Sequence, residues 1–218
     1  MGFMDNKTLR PKDAATLLLY RGNGDSLKVL LGQRHQGHAF MPNAYVFPGG
    51  RVNPSDSRTV PSSELPNDVA KRLECATTPA RARAIAVAAV RETFEETGLL
   101  VASGESNNNQ WHNKIGPQLG SMDYFFRAIT PPNRIRRFDA RFFSVKASEA
   151  RGSLGGDGEL KNLSWFSLNE ISKLEMASIT RIALAEFRRV FARTSLHNSS
   201  RLIPVSRYIR GQYKITME

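Results

Sequence analysis

The chain is poor in the residues that staple or metallate small folds. One cysteine, Cys75, cannot close an internal disulfide, and four scattered histidines supply no zinc cluster at the usual ligand spacing. A reducing compartment is the resulting expectation. No stretch approaches the roughly 18 consecutive apolar residues of a membrane span, and residues 1–12 lack the apolar core of a secretory signal. The sequence therefore points to a cytoplasmic protein with no membrane partner. Acidic residues are scarce as well: 20 Asp and Glu against 31 Lys and Arg leave a formal charge of +11, which draws anions to the surface. That excess suits a phosphorylated partner without deciding between nucleic acid and a small phosphate ester. What is present is ordinary for a globular chain, 40% hydrophobic and 23% charged residues in a length of 218. Residues 1–218 read as one domain, with no internal repeat and no second boundary.

Two β-prone runs, 14–20 and 27–31, flank the turn-forming Arg21-Gly22-Asn23-Gly24-Asp25 and predict a hairpin. Residues 44–47 make a short β-prone run that Pro48-Gly49-Gly50 stops with a sharp turn. Residues 52–78 are polar and rich in Pro and Ser, with one short helical pattern near 68–75, and are long for a plain connection, so they read as an insertion. The strongest helix signal covers 79–97: Thr78 can cap it, Pro79 suits its first position and Gly98 the residue past its end. Strands are expected at 124–130 and 141–145, around the loop Pro131-Pro132-Asn133-Arg134-Ile135-Arg136-Arg137, and at 160–166 after a glycine loop at 152–158. Residues 168–194 are helical in pattern, a short piece and then a longer one, and Ile203, Val205, Tyr208 and Ile209 suggest a last strand.

At about 100° per residue, Glu92, Glu95 and Glu96 fall within one sector of the 79–97 helix, opposite Val87, Val90 and Phe94. One face is expected to pack and the other to display three carboxylates. A plain solvated acidic face is one account of this. Against it, Glu95 and Glu96 sit in the last turn, where the helix dipole disfavours each by roughly 0.3–1 kcal/mol. No Lys or Arg follows any of them at three or four residues, and Arg91 to Glu95 is the weaker, reversed pair. Clustered carboxylates without His or Cys suit a hard divalent cation such as Mg2+ or Mn2+, which prefers oxygen ligands and bridges to phosphate oxygens.

Arg91-Glu92-Thr93-Phe94-Glu95-Glu96-Thr97-Gly98-Leu99 resembles the second half of the Nudix box, and Phe47-Pro48-Gly49-Gly50 the glycine turn that opens it. In that family a Glu follows the opening glycine after five residues and the Arg comes seven residues later. Here Gly50 and Arg91 stand 41 apart, 27 more than the family's 14, and in the helix register Arg83 stands where that first glutamate would. The interrupted box, with Phe40-Met41-Pro42-Asn43-Ala44-Tyr45-Val46-Phe47 and Arg137-Phe138-Asp139-Ala140-Arg141-Phe142-Phe143, resembles the coenzyme A diphosphatase branch of the Nudix hydrolases.

The resemblance implies an α/β/α sandwich with a mixed central sheet, a catalytic loop-helix-loop, and Mg2+-dependent hydrolysis of a nucleoside diphosphate derivative, with coenzyme A or acyl-coenzyme A foremost. An ADP-ribose, dinucleotide or nucleotide-sugar pyrophosphatase is the alternative within enzymes. A nucleic-acid-binding or regulatory module on the same fold is the alternative outside them, and the three acids count against it. Glu92, Glu95 and Glu96, with the carbonyl of Gly49 or Gly50, are implied as holders of one to three ions. Arg91 is implied to orient Glu95, and Glu92 or Glu159 to serve as base. Arg34, Arg51, Arg134, Arg136, Arg137 and Arg141 are candidates for pairing with substrate phosphates. Phe40, Tyr45 and Phe138 are candidates for stacking on a base, set against their use as core. His35 and His38 read as loop residues, Trp165 and Phe166 as core, and Cys75 as inert. A homodimer is left open.

Overall fold

The computed structural model describes residues 9–37, 41–102, 116–132, 134–192 and 201–218. In chain order the elements are β1 (Lys12–Arg21), β2 (Lys28–Arg34), β3 (Tyr45–Val46), β4 (Gly49–Arg51), α1 (Asn67–Glu74), α2 (Pro79–Thr97) and β5 (Leu100–Val101). They continue with β6 (Asp123–Ile129), β7 (Phe138–Lys146), β8 (Ala150–Arg151), β9 (Leu160–Ser167), α3 (Leu168–Ser172), α4 (Ser178–Ala192), β10 (Pro204–Ile209) and β11 (Gln212–Met217). A mixed sheet runs in the order β11-β10-β6-β7-β1-β2-β3, with β4 also on β1 and β9 also on β2. The β1–β7 and β10–β6 pairs are parallel and the other pairs of this sheet antiparallel.

Alternation along the strands feeds two cores. Leu17, Leu19 and Leu30 join one core with Val69 and Leu73 of α1 and Ile85 to Val90 of α2. Leu18, Tyr20, Val29 and Leu31 join the other with Ile171 of α3 and Ala183, Leu184 and Phe187 of α4. Both sheet faces are covered, so the central strands read as nearly continuous apolar runs. This is the expected α/β/α sandwich. A bulge between Tyr124 and Phe126 in β6 breaks the alternation and sends both Phe125 and Phe126 into the second core.

Helix α2 has the expected bounds, because its end signals are local: the Thr78 hydroxyl accepts from the Arg81 N–H, and Gly98 closes the helix in the left-handed region at φ 74°. The expected hairpin also forms, with Tyr20 opposite Val29. Three expectations are corrected. Gly49 and Gly50 do not form a bare turn; they belong to β4, opposite Thr16 and Ala15. A Cβ on Gly49 would lie 2.4 Å from the Ala15 carbonyl oxygen, so only glycine lets this segment lie flush on β1. Helix α2 does not have one packed face and one free face, since residues 84 to 91 are buried all round, between the sheet and the elements packed outside it. The tail is a hairpin of two strands, with Tyr208 opposite Tyr213. The β5–β8 pair, two residues a side, is too short to carry a readable period.

Within the long segment between β4 and α2, α1 is anchored to the core. Val69 and Leu73 are buried, and the Arg72 guanidinium donates to the Tyr124 carbonyl at 2.9 Å and to Asp123 at 3.1 Å. Among the described residues no helix is long and apolar enough to cross a membrane.

Candidate active site

The last turn of α2 lies against the β4 glycines. The Glu96 carboxylate, only 6% exposed, accepts from the Gly49 N–H at 2.8 Å. The half-buried Glu92 carboxyl sits so close to Gly50 that a Cβ there would come within 2.4 Å of it. Burial pushes the Glu96 carboxyl up to about 8, against the pull of the Gly49 hydrogen bond. Burial also raises Glu92, while Arg91 pulls it back down. Glu95 points outward, with 45% of its side chain exposed. The three acids are thus not one solvated face, because β4 closes over the side that carries Glu92 and Glu96.

Arg91 relieves part of this charge. Its Nη1 stands 2.9 Å from both Glu92 and Glu95. Its Nε and Nη2 bond Asp56 at 2.7 and 3.1 Å, and Nη2 also donates to the Arg51 carbonyl at 2.9 Å. Burial works against the Arg91 charge, but Asp56 and the two glutamates more than offset it and raise its pKa. Asp56 is 1% exposed and also accepts from the Asn53 N–H. Sequence reasoning missed it because it belongs to the segment read as an insertion.

The glycine loop supplies the helix end with donors. The N–H groups of Gly98, Gly155 and Asp157 bond the carbonyls of Phe94, Thr97 and Glu95 at 2.8, 2.9 and 2.9 Å. Two residues past Asp157, Glu159 is exposed and adds negative potential at Glu96 and at Arg34. Arg34, opposite Leu160 in the β2–β9 register, has its pKa lowered by burial, against the pull of Glu96 and Glu159. Glu92, Glu159 and Arg34 therefore all act electrostatically on Glu96 at the end of α2.

The other arginines divide. Arg141 is 1% exposed, with its guanidinium bonded to Asp13 at 2.8 Å and to the Asp139 carbonyl at 3.0 Å, so the sheet consumes it. Arg137 is spent on the carbonyls of Thr130 and Leu9. Both guanidinium groups thus have partners within the scaffold. Arg51, Arg134 and Arg136 are exposed. Tyr45 makes an edge contact with Phe166 at 5.3 Å, and Trp165 and Phe166 flank the two cores. Phe138 is half-buried at the start of β7. The His35 Nδ1 accepts from the Gly37 N–H, a loop role as expected. His38 and Phe40 lie outside the described residues.

A family model described as the NUDIX domain matches residues 77–187. The chain belongs to the NUDIX family. The acyl-coenzyme A diphosphatase NUDT19 of Xenopus laevis is 32% identical over 111 residues, which cover 41% of this chain and 29% of that protein. The chain thus spans under a third of the length of this curated relative. A NUDIX hydrolase from Alicyclobacillus acidocaldarius superposes with a TM-score of 0.61 at 23% identity, covering 86% of this chain and 96% of that one. The NUDIX domain of Shewanella oneidensis NrtR, solved with ADP ribose, gives 0.50 at 12% identity, over 86% and 92%. These likenesses show the fold, and the expectation of a Nudix hydrolase is met at the level of family and fold.

Placed on the NUDIX box, Asp56 explains the apparent gap. Counted from Gly50, it follows after five residues, the spacing of the family's first glutamate, and it bonds Arg91 across 35 positions. The extra residues therefore fall between Asp56 and α2, and the fold brings Asp56 and Arg91 together. Counting forward from the glycine, rather than back along the helix to Arg83, would have found this residue.

Among the described residues, no three Asp, Glu, His or Cys side chains are gathered into a ready metal cage. Arg91 occupies two of the three box glutamates. The donor set nevertheless fits a hard divalent cation: all its members are oxygens, and the buried Glu96 carboxylate has one amide N–H as its close hydrogen-bond partner.

Proposed function

We propose that this NUDIX domain hydrolyses the diphosphate bridge of a nucleoside diphosphate derivative, with coenzyme A or an acyl-coenzyme A as substrate. The observation that carries the reading is the convergence of Glu92 and the buried Glu96 on the β4 glycines. Such an arrangement raises the energy of an uncompensated carboxylate and is relieved by a cation. Glu92, Glu95 and Glu96, with the Gly49 or Gly50 carbonyl, would hold Mg2+ or Mn2+. Bound there, the cation supplies positive charge against the diphosphate oxygens and makes an attacking water more acidic.

The chain's own groups do the rest. Glu92 or Glu159 takes a proton from the water as its oxygen bonds to one phosphorus. The bond from that phosphorus to the bridging oxygen breaks, and the bridging oxygen leaves on the other phosphate. Burial raises the Glu92 carboxyl, and Glu159 is the more accessible of the two. Arg91 positions Glu92 and Glu95, while Arg34, Arg51, Arg134 and Arg136 offer guanidinium groups to phosphate oxygens. The coenzyme A assignment is supported by the match to the Xenopus protein and by the formal charge of +11, which suits a substrate with an extra phosphate.

Incubation with Mg2+ and coenzyme A is expected to yield 3′,5′-ADP and 4′-phosphopantetheine. Cleavage of ADP-ribose to AMP and ribose 5-phosphate, with coenzyme A untouched, would move the substrate to the alternative class. No turnover of any diphosphate, together with salt-dependent nucleic-acid affinity, would replace the enzyme by a binding module.

A further inference from the structure

Asp157 joins two parts of the site that the box itself does not connect. Its N–H donates to the Glu95 carbonyl at 2.9 Å, so its backbone is fastened to the last turn of α2. Its Oδ1 accepts from the Glu159 N–H, also at 2.9 Å. The intervening Gly158 adopts φ +90° in open space, and this lets the chain fold back so that one residue makes both bonds. On the other side of Asp157 the loop runs flush over the helix end, where a Cβ on Gly156 would lie 2.3 Å from the Glu96 carbonyl oxygen. Beyond Glu159 the chain enters β9, and the Glu159 carbonyl takes a 3.4 Å bond from the His35 N–H. Glu159 is exposed, so packing does little to hold it.

We infer that Asp157 is a positioning residue, whose carboxylate fixes the Glu159 backbone to the box helix and so sets where the Glu159 side chain stands relative to Glu96 and Arg34. The inference rests on the reading of Glu159 as a group that serves diphosphate hydrolysis. What Asp157 contributes is a hydrogen-bond acceptor at one place, not a charge delivered to substrate. An asparagine, which keeps Oδ1, should therefore do the same work.

The test compares Asp157→Asn, Asp157→Ala, Glu159→Gln and the Asp157→Ala/Glu159→Gln double variant in the full chain, with Mg2+ and either coenzyme A or ADP-ribose. Glu159→Gln is expected to lower kcat about 100-fold, as for loss of a general base. Asp157→Ala is expected to lower kcat about tenfold with KM within about twofold, and Asp157→Asn to stay within about twofold of the parent. The double variant should be no worse than Glu159→Gln alone, because the lock has nothing left to hold. Amide exchange reads the lock without turnover: the Glu159 N–H should exchange about fivefold faster in Asp157→Ala, the loss of one hydrogen bond, and unchanged in Asp157→Asn. Unchanged exchange in Asp157→Ala overturns the inference by itself. So does equal loss of kcat in the Asn and Ala variants, which would mean that the charge is used directly. Full activity of Asp157→Ala beside an impaired Glu159→Gln also overturns it and leaves the reading of Glu159 standing. A neutral Glu159→Gln with an unchanged pH profile overturns that reading instead, and the inference falls with it.

Discussion

Replacing Asp56 by Ala tests whether the box closes in space through the Asp56–Arg91 pair. The substitution removes two bonds to the Arg91 guanidinium, at 2.7 and 3.1 Å, and the acceptor of the Asn53 N–H. Breaking a buried ion pair by removing one partner costs about 3–5 kcal/mol when the survivor is left alone. Here Arg91 keeps Glu92, Glu95 and the Arg51 carbonyl, so the expected loss is smaller, about 2–4 kcal/mol. For a chain of this length that lowers Tm by roughly 5–15 °C, measurable by scanning calorimetry, with the free energy taken from urea unfolding. Activity should fall as well, by on the order of 10–100-fold, because Arg91 loses the anchors that place Glu92 and Glu95. A double-mutant cycle with Arg91→Met separates the pair from general damage, and a coupling of about 2 kcal/mol is expected. A stability loss below about 1 kcal/mol, or additive single effects, would refute the reasoning.

Glu96→Gln should leave the metal-free protein as stable as the parent or more so at neutral pH, because it removes the cost of burying and protonating a carboxyl that is ionised in the unfolded chain, while lowering kcat/KM at least about 100-fold through loss of a ligand. In the metal-free parent, the folded-state value near 8 lies above the unfolded value near 4.5, so the folded state binds the extra proton. Stability should therefore fall as pH climbs from about 4.5 to about 8, by at most about 5 kcal/mol. Glu96→Gln or added Mn2+ should flatten that slope, and a flat metal-free parent would refute the assignment. Leu73→Ala should cost about 2–5 kcal/mol in urea unfolding with little change in KM, because α1 is anchored core; a negligible loss would show that helix to be loosely attached. Joint replacement of Arg134 and Arg136 by Ser should raise KM with kcat unchanged and weaken its salt dependence, and an unaltered KM removes that loop from the site.

The site was legible where its signals are local. The Thr78, Pro79 and Gly98 end signals lie within a turn of the helix they bound, and the spacing of Glu92, Glu95 and Glu96 puts them in one sector by helical geometry alone. What lay beyond reach involves partners distant in the chain. Arg141 has the composition of a phosphate contact, and only its pairing with Asp13, 128 positions away, shows that it is spent. Besides Gly98, the donors to the end of α2 come from residues 155 and 157, which carry no helix signal at all. Asp56 is the intermediate case, readable by counting from Gly50 and invisible by helix register.

By itself, then, the chain determined which groups were available: an excess of bases, three carboxylates on one helix, and glycines where β4 must lie flush on β1. Those follow from composition and from interactions a few residues long. The tertiary structure decided their state. It buried Glu96 and raised its pKa, gave Arg91 to Asp56, and tied the glycine loop to the helix end. Desolvation and ion pairing depend on what is packed alongside in space, and a linear sequence does not set that distance.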